Sequence, residues 1–89
     1  TPITVRTDER IIVAYYTAKQ FNKVIELLRL RLEANPNDPQ THVSLAAAYL
    51  STGNRNGAIE ELQKAIDLNA DFKQQGEFYI SEIRAGRNP

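Results

Sequence analysis

Apolar residues recur along the chain at intervals of three and four positions, the spacing that places side chains on one face of an α-helix. In the middle of the chain, Leu45, Ala46 and Tyr49 show this spacing. No segment has the alternating pattern of a strand, so the sequence predicts an all-α fold with five helices. They are expected at roughly residues 7–18, from Phe21 to before Asn35, from Pro39 to before Gly53, from Ala58 to near Leu68, and from about residue 73 to Gly86.

Residues that favour helix ends mark several of these boundaries. Asp38–Pro39 combines a good N-cap with a proline that fits the first helical position. Gly53 stands where a left-handed residue commonly ends a helix. Asn54–Gly57 then predicts a short connection rather than a β-hairpin, because its flanks are rich in alanine. Asp71 and Gln74 have the spacing of a capping box. Because every connection is short, consecutive helices should pack as antiparallel neighbours.

The chain contains an internal repeat with a period of 34 residues. Residues 5–38 align with residues 39–72, and eight of the 34 pairs are identical. Most of the other core pairs exchange one apolar residue for another. The identical pairs are Thr7/Thr41, Ala14/Ala48, Tyr15/Tyr49, Asn22/Asn56, Ile25/Ile59, Glu26/Glu60, Leu28/Leu62 and Asn35/Asn69.

This period, with two helices per unit, resembles the tetratricopeptide repeat. The second unit matches that family's motif at Leu45, Ala46, Tyr49, Gly53, Ala58, Leu62 and Ala65. The first unit matches at Ile11, Ile12, Tyr15, Phe21, Val24, Leu28 and the closing Asn35–Pro36. The resemblance implies one domain, residues 1–89, folded as a right-handed α-solenoid of antiparallel helix hairpins. It would contain repeat one at about residues 5–38, repeat two at about 39–72 and a capping helix at about 73–86.

Four residues depart from the family's pattern. His42 replaces a tryptophan or another large apolar residue, and Ala70 replaces a closing proline. Lys19 stands where glycine is usual, and Arg31 stands where a small residue is usual. The first unit is therefore the weaker match.

Small residues at helix crossings are expected to organise the core. Ala46, Ala58 and Ala65 would let the backbones of paired helices approach closely, while Tyr49 and Leu62 fill the space beside them. Because one unit cannot bury its apolar face alone, the stacking of units should stabilise the domain.

The composition excludes several classes of function. The 89 residues carry 11 basic and 11 acidic side chains, so no excess of positive charge attracts nucleic acid or anionic lipid. The absence of cysteine excludes disulfides, thiolate catalysis and cysteine-ligated zinc. No apolar run approaches the ~20 residues that span a bilayer. We therefore expect a soluble domain that needs no cofactor, binds no nucleic acid and does not itself insert into a membrane.

The ends of the chain suggest that it belongs to something larger. No leader of charged and then apolar residues opens the sequence, so no signal peptide is expected. The chain starts at Thr1 and contains no methionine, as an excised or processed piece would. The sequence leaves the compartment open, with the cytoplasm favoured.

The polar residues give little support for catalysis. His42 and Ser44 lie on different faces of their helix, so they cannot form a nucleophile–base pair within it. We interpret His42 as a structural substitute in the packing layer and Glu60–Glu61 as a solvated surface pair. Arg29 and Arg31 alternate with leucines, which favours a helix edge over a nucleic-acid patch. The sequence predicts that the protein is not an enzyme.

In the family that the chain resembles, the first helix of each unit lines a concave groove that receives an extended peptide or a partner helix. Transferring the groove positions to this sequence gives twelve candidate residues. They are Arg6, Arg10, Val13, Tyr16, Gln40, Val43, Ser44, Ala47, Leu50, Gln74, Phe78 and Arg84. Tyr16, Leu50 and Phe78 are the expected apolar anchors. An apolar floor with a polar rim suits an amphipathic helix or another segment with apolar anchors.

One subset of this family grips the C-terminal carboxylates of chaperones with lysines, asparagines and an arginine. Those clamp positions read Glu9, Val13, Ser44, Gln74 and Phe78 here, without a basic residue or an asparagine. Glu9 would repel the carboxylate that the clamp holds. We therefore predict that no such clamp operates.

The leading hypothesis is a non-catalytic scaffold that recruits a protein or peptide segment into its groove. The alternative is a structural or assembly appendage of a larger protein, such as a bacterial membrane protein. That alternative includes self-association of the chain as a homodimer.

Overall fold

The computed structural model describes residues 8–89 and confirms the all-α fold. Five α-helices follow one another: α1 (Glu9–Thr17), α2 (Phe21–Ala34), α3 (Pro39–Ser51), α4 (Arg55–Leu68) and α5 (Lys73–Arg84). A 3-10 turn at Ala70–Phe72 precedes α5, and the described residues contain no strand. Each helix packs against its neighbours in sequence, and together they form a slab of 40 × 26 × 17 Å.

The helix boundaries follow the 34-residue period. The two second helices, α2 and α4, contain 14 residues each, and both their first and last residues lie 34 positions apart. The first helices, α1 and α3, also end 34 positions apart. Asn35 and Asn69 then leave the helix with similar backbone angles, φ −146° and −141°. The two units therefore share their helix ends as well as their apolar pattern.

Three helices end with the same hydrogen-bonded turn, in which a left-handed residue follows the helix. That residue is Lys19 after α1, Gly53 after α3 and Gly86 after α5, with φ of 60°, 82° and 85°. The Lys19 N–H donates to the Tyr16 carbonyl at 2.9 Å, and the Gln20 N–H donates to the Tyr15 carbonyl at 2.9 Å. The same pair of bonds closes the other two turns, which makes each a Schellman motif. Glycine adopts this conformation without strain, whereas lysine does not.

The predicted start of α3 is confirmed. The Asp38 carboxylate accepts hydrogen bonds from the N–H of Gln40 at 3.2 Å and from the hydroxyl of Thr41 at 2.6 Å. Pro39 occupies the first helical position, where its missing N–H leaves no hydrogen bond unmade.

The predicted start of α4 is wrong by three residues. The Asn54 side chain accepts a hydrogen bond from the N–H of Gly57 at 2.9 Å, and this cap lets the helix begin at Arg55. The residues predicted as a connection therefore form the cap and the first turn. An asparagine N-cap here outweighs the turn preference of the Asn56–Gly57 dipeptide.

The predicted capping box at Asp71 and Gln74 does not form. The Asn69 side chain instead accepts a hydrogen bond from the N–H of Asp71 at 3.1 Å and so begins the 3-10 turn. The chain enters α5 directly from this turn, and α5 has no side-chain cap of its own.

Small and large apolar side chains share one core along the stacked helices. Ala46, Ala48, Ala58 and Ala65 are almost completely buried, as expected for residues at helix crossings. The larger buried apolar residues are Ile12, Val24, Leu27, Leu28, Leu45, Tyr49, Leu62, Ile66, Ile80 and Ile83. All five helices contribute to this core, so no helix is held by its own propensity alone.

Arg55 joins the start of α4 to the end of α5. Its guanidinium donates to the Ile83 carbonyl from Nε at 3.2 Å and from Nη2 at 2.9 Å, and Nη2 also reaches the Arg87 carbonyl at 2.7 Å. Carbonyls at a helix C-terminus lack partners within the helix, and a cation is favourable there. This contact holds α5 against the second unit.

We predict that Ala58→Leu lowers the free energy of unfolding by about 1–3 kcal/mol, because Ala58 has no exposed surface and a larger side chain would overpack the crossing. Urea unfolding followed by circular dichroism measures the change. Ala34→Leu is the matched control, since Ala34 is exposed and corresponds to Leu68 in the second unit. Equal losses in the two variants would contradict the role of small residues at the crossing.

We predict that Lys19→Gly raises the free energy of unfolding by about 1 kcal/mol, because glycine takes the positive φ without strain. The reciprocal change Gly53→Lys should lower it by a similar amount. Nothing lies within 4 Å of a Cβ placed at Gly53, so that loss would come from the backbone and not from a clash. A neutral or destabilising Lys19→Gly in the same unfolding measurement would show that the turn is not strained.

Candidate functional site

Four of the predicted groove residues line one cleft between α1 and α3. Val13 and Tyr16 extend from α1, and Ser44 and Ala47 extend from α3. The cleft has a volume of about 170 Å³. The buried residues Ile12, Val24 and Leu28 also line it, so its inner surface is apolar and continuous with the core.

Tyr16 is held in place by contacts at the edge of this cleft. Its hydroxyl lies 3.5 Å from Ser51 Oγ, which donates to the Ala47 carbonyl at 3.2 Å. Its ring packs edge-on against Phe21, with the ring centroids 5.3 Å apart. Because Tyr16 belongs to α1 and Ser51 to α3, the contact connects the two first helices. The Tyr16 side chain thus presents a partly exposed apolar ring in a defined position.

Two further pairs of predicted residues line hollows beside α5. Gln40 and Val43 lie in a hollow of about 330 Å³ between α3 and α5. Gln74 and Phe78 line another hollow of about 410 Å³ on α5. The two hollows adjoin at Gln75, which lines both.

Aromatic rings form a row next to these hollows. Tyr79 lies 6.3 Å from Phe72 and 6.0 Å from Phe78, measured between ring centroids. The Gln75 side chain donates to the Tyr79 hydroxyl at 2.6 Å and orients the central ring. Phe78 is therefore supported on one side by Tyr79 while most of its own ring is exposed.

Three other predicted groove residues lie apart from these hollows. Arg10 lines a different hollow, where it pairs with Asp8 at 3.2 Å. Leu50 is half-buried against the core, and Arg84 is the exposed last residue of α5. Arg6 lies outside the described residues.

The Arg10 side chain is engaged at the start of its own helix. Its guanidinium donates to the Asp8 carboxylate, and the Arg10 N–H donates to the same side chain at 2.8 Å. The hydrogen bond from the Arg10 side chain, followed by that from its N–H, holds the pKa of Asp8 below its ordinary value. The same pairing raises the pKa of Arg10. This contact caps α1. Arg10 therefore lines a different hollow from the cleft that Val13 and Tyr16 line.

Arg31 lines the α1–α3 cleft although it was not among the predicted groove positions. It reaches the cleft from α2 and is half-buried there. Its counterpart in the second unit is Ala65, which is fully buried. In the sequence, the only indication that Arg31 has an unusual position was that it replaces the small residue usual there. Glu9 lines the same cleft, so residues 8–89 bring one charge of each sign to it.

The prediction of a solvated glutamate pair is wrong for Glu61. Glu61 and His42 are both buried, each with 6% of its surface exposed. His42 Nδ1 lies 2.8 Å from Glu61 Oε1, and His42 Nε2 lies 2.9 Å from the Pro36 carbonyl oxygen. Lys64 donates to the other carboxylate oxygen at 3.1 Å. A carboxylate and a carbonyl both accept, so both contacts are hydrogen bonds when each ring nitrogen carries a proton.

The 34-residue alignment contained a signal for this burial. Glu61 corresponds to Leu27, which is buried in α2, so its position faces the core in both units. Glu60, in contrast, is exposed. His42 is thus a buried structural residue that joins α3 to α4 and to the loop between the units.

The one histidine of the chain lies in the core and has a structural role. Both nitrogens of His42 are occupied by structural contacts within the core. In residues 8–89, no group of three His, Cys, Asp or Glu side chains could hold a metal ion. In the same part of the chain, no helix has both the length and the apolar character to cross a membrane.

The repeat pattern matches a known protein family along most of the chain. A family model described as a tetratricopeptide repeat matches residues 18–77, about two thirds of the sequence. The matched segment includes the whole of α2, α3 and α4 and the first residues of α5. A search of curated proteins and a search of solved structures each found no match.

We predict that His42→Leu alone lowers the free energy of unfolding by about 3 kcal/mol, because it leaves the buried Glu61 carboxylate with Lys64 as its one remaining partner. The double variant His42→Leu, Glu61→Leu should lose clearly less than the sum of the two single variants. In the first unit, the position that corresponds to Glu61 is already a buried leucine, Leu27. Urea unfolding of the four proteins measures the coupling, and Glu60→Leu is the exposed control. Additive losses would show that the pair acts as two separate residues.

Proposed function

Because the chain belongs to the tetratricopeptide repeat family, we propose that it is a protein-interaction scaffold without catalytic activity. A peptide or helical segment of a partner protein binds along α1, α3 and α5. Repeat proteins of this kind present extended surfaces formed by successive units, and such surfaces bind segments that are themselves extended.

The placement of exposed apolar side chains supports this site. Among the described residues, four large apolar side chains are well exposed: Val13, Tyr16, Leu68 and Phe78. Three of them occupy predicted groove positions on α1 and α5. Val13 exposes 55% of its surface and Phe78 57%. Apolar side chains that neighbouring residues hold beside hollows suit the anchors of an amphipathic helix or an extended segment.

Polar groups between these anchors would orient the bound segment. Ser44 lies in the cleft with Val13, and Gln40 and Gln74 line the hollows beside α5. Their side chains can exchange hydrogen bonds with a bound backbone, whereas the apolar anchors contribute most of the affinity.

The same surface does not suit a carboxylate clamp. Among the clamp positions, Glu9 and Ser44 line the α1–α3 cleft, and Glu9 brings a negative charge to it. At the other end, Gln74 and Phe78 stand where the clamp has a basic residue or an asparagine. Among the described residues Arg31 is the cation of the cleft, and it comes from α2 rather than from a clamp position. We therefore propose recognition through apolar anchors and not through terminal carboxylates.

We predict that Val13→Asp and Phe78→Asp each weaken binding about tenfold or more, because each change places a charge on an exposed apolar anchor without opening the core. The probe is a displayed library of peptides of about 16 residues patterned as amphipathic helices. Peptides selected on the unaltered chain are then titrated into each variant, and fluorescence anisotropy reports the affinity.

Leu68→Asp is the matched control, since Leu68 is also apolar and exposed but lies at the end of α4. Leu50→Asp is unsuitable because Leu50 packs against the core, so a loss of folding would be mistaken for a loss of binding. Equal weakening by Leu68→Asp, or no weakening by either groove variant, would refute the proposed site. Salt-sensitive binding of an acidic chaperone-tail peptide would refute the absence of a clamp.

A further inference from the structure

Three aromatic rings, those of Phe72, Tyr79 and Phe78, lie next to one another beside the hollows that adjoin at Gln75, and we call them the aromatic row. Neighbouring rings are tilted by 55° and 58° and not stacked face to face, so the row has a ridged surface. Phe72 and Tyr79 are half-buried against the core, while Phe78 is exposed. The aromatic row is therefore a preformed binding surface whose position is set by the core.

The hollows beside the aromatic row offer hydrogen-bond donors. The Gln75 side chain donates to the Tyr79 hydroxyl at 2.6 Å, so the hydroxyl accepts that bond and keeps its own proton to donate. Gln40 and Gln74, both exposed, line the two hollows and carry amide donors of their own. A ligand whose carbonyl groups lack internal partners would accept hydrogen bonds from these donors.

A polyproline II helix is a ligand of this kind. It has no internal hydrogen bonds, so its carbonyls are available, and proline brings no N–H group that needs an acceptor. Such helices bind aromatic-lined grooves at a low cost in entropy, because they form before they bind. They advance about 3.1 Å per residue, so about four residues pass all three rings of the aromatic row. An α-helix, in contrast, satisfies its own carbonyls and would leave the donors beside the row unused.

The charge on this surface is negative. Among the described residues that line the two hollows, Asp71 is the one that carries a charge. It lies in the same hollow as Phe78, so a basic side chain at the end of a proline run would meet it there. Because Asp71 is exposed, such a pair contributes modestly and weakens as salt is added. Charge complementarity therefore favours a proline-rich segment that carries an arginine or a lysine.

We infer that the part of the partner segment that lies on α5 is a proline-rich polyproline II helix with a basic residue beside Asp71. Its proline rings pack against the aromatic row, and its carbonyls accept hydrogen bonds from the Tyr79 hydroxyl and from the amides of Gln40 and Gln74. This inference rests on the proposed function, since it names the ligand of the α5 end of the same groove. It concerns the hollows beside α5 and not the α1–α3 cleft, so the two ends can be tested separately.

The test uses the full chain, labelled with ¹⁵N, and a peptide of nine prolines between two arginines. We expect amide shift changes concentrated around Gln74 and Phe78 and a dissociation constant below about 1 mM. Phe78→Ala should weaken binding about tenfold, because it removes the most exposed ring of the row. Tyr79→Phe keeps the ring and removes the hydroxyl, so it should weaken binding about threefold. Asp71→Asn should weaken binding about threefold as well and should reduce its dependence on salt.

Two control peptides separate the proline helix from its charge. Replacing the prolines with alanines keeps both arginines and should weaken binding by about tenfold or more. Equal binding of this peptide would overturn the inference, because the polyproline II conformation would not be what the chain recognises. Replacing the arginines with glutamates should weaken binding at low salt, and unchanged or tighter binding would refute the pairing with Asp71.

In the chain, Val13→Ser is the control and should leave the affinity for the proline peptide unchanged, because Val13 lies in the α1–α3 cleft. Shift changes concentrated around Val13 and Ser44 would overturn the inference, and so would the absence of shift changes at about 1 mM peptide. If the amphipathic peptides selected on the chain still bind in that case, the failure concerns the polyproline II ligand alone. If neither kind of peptide binds, the proposed function fails with it.

Discussion

The close approach of helices through small side chains is the constraint on which the rest of the structure depends. Ala48 in α3 and Ala58 and Ala65 in α4 have no exposed surface. In an interior as dense as an organic crystal, an alanine at a crossing brings two backbones together, and larger neighbours must fill the space beside it. Tyr49 and Leu62 are among the larger residues buried in the same core. This distribution of volume decides where each helix lies and where hollows remain between helices.

Stacking along one direction explains why α1 presents two surfaces. In the second unit, α2 covers one side of α3, and another side contributes Ser44 and Ala47 to the cleft. Among the described residues, no helix covers α1 as α2 covers α3. Its apolar residues therefore appear in two places, with Val13 in the cleft and Tyr15 in the separate hollow that Arg10 also lines. Each unit of a solenoid contacts only its neighbours, so within the described residues this side is buried in α3 and open in α1.

The candidate site was predictable where helical register alone places a side chain. Val13 and Tyr16 lie three residues apart on α1 and therefore share the side of the helix that lines the cleft. The contacts of the longer charged side chains were not predictable in this way. Arg10 turns back to cap its own helix at Asp8, and Arg31 enters the cleft from a different helix. Such side chains have several rotatable bonds, so their positions depend on what surrounds them and not on their spacing along the chain.

The sequence by itself determined the features that depend on residues within about one turn of each other. The all-α fold, the 34-residue period and the left-handed turns at Gly53 and Gly86 are of this kind, because helices and their ends form through bonds between residues a few positions apart. The repeat aligned Glu61 with Leu27, but only the tertiary structure decided that the Glu61 carboxylate is buried beside a partner. A glutamate on a helix stays in water unless another element supplies hydrogen bonds to its carboxylate, and here His42 does so from α3. Burial of a charge therefore depends on a partner that is distant in sequence. The pattern of residues around His42 and around Glu61 did not reveal that these two side chains would meet.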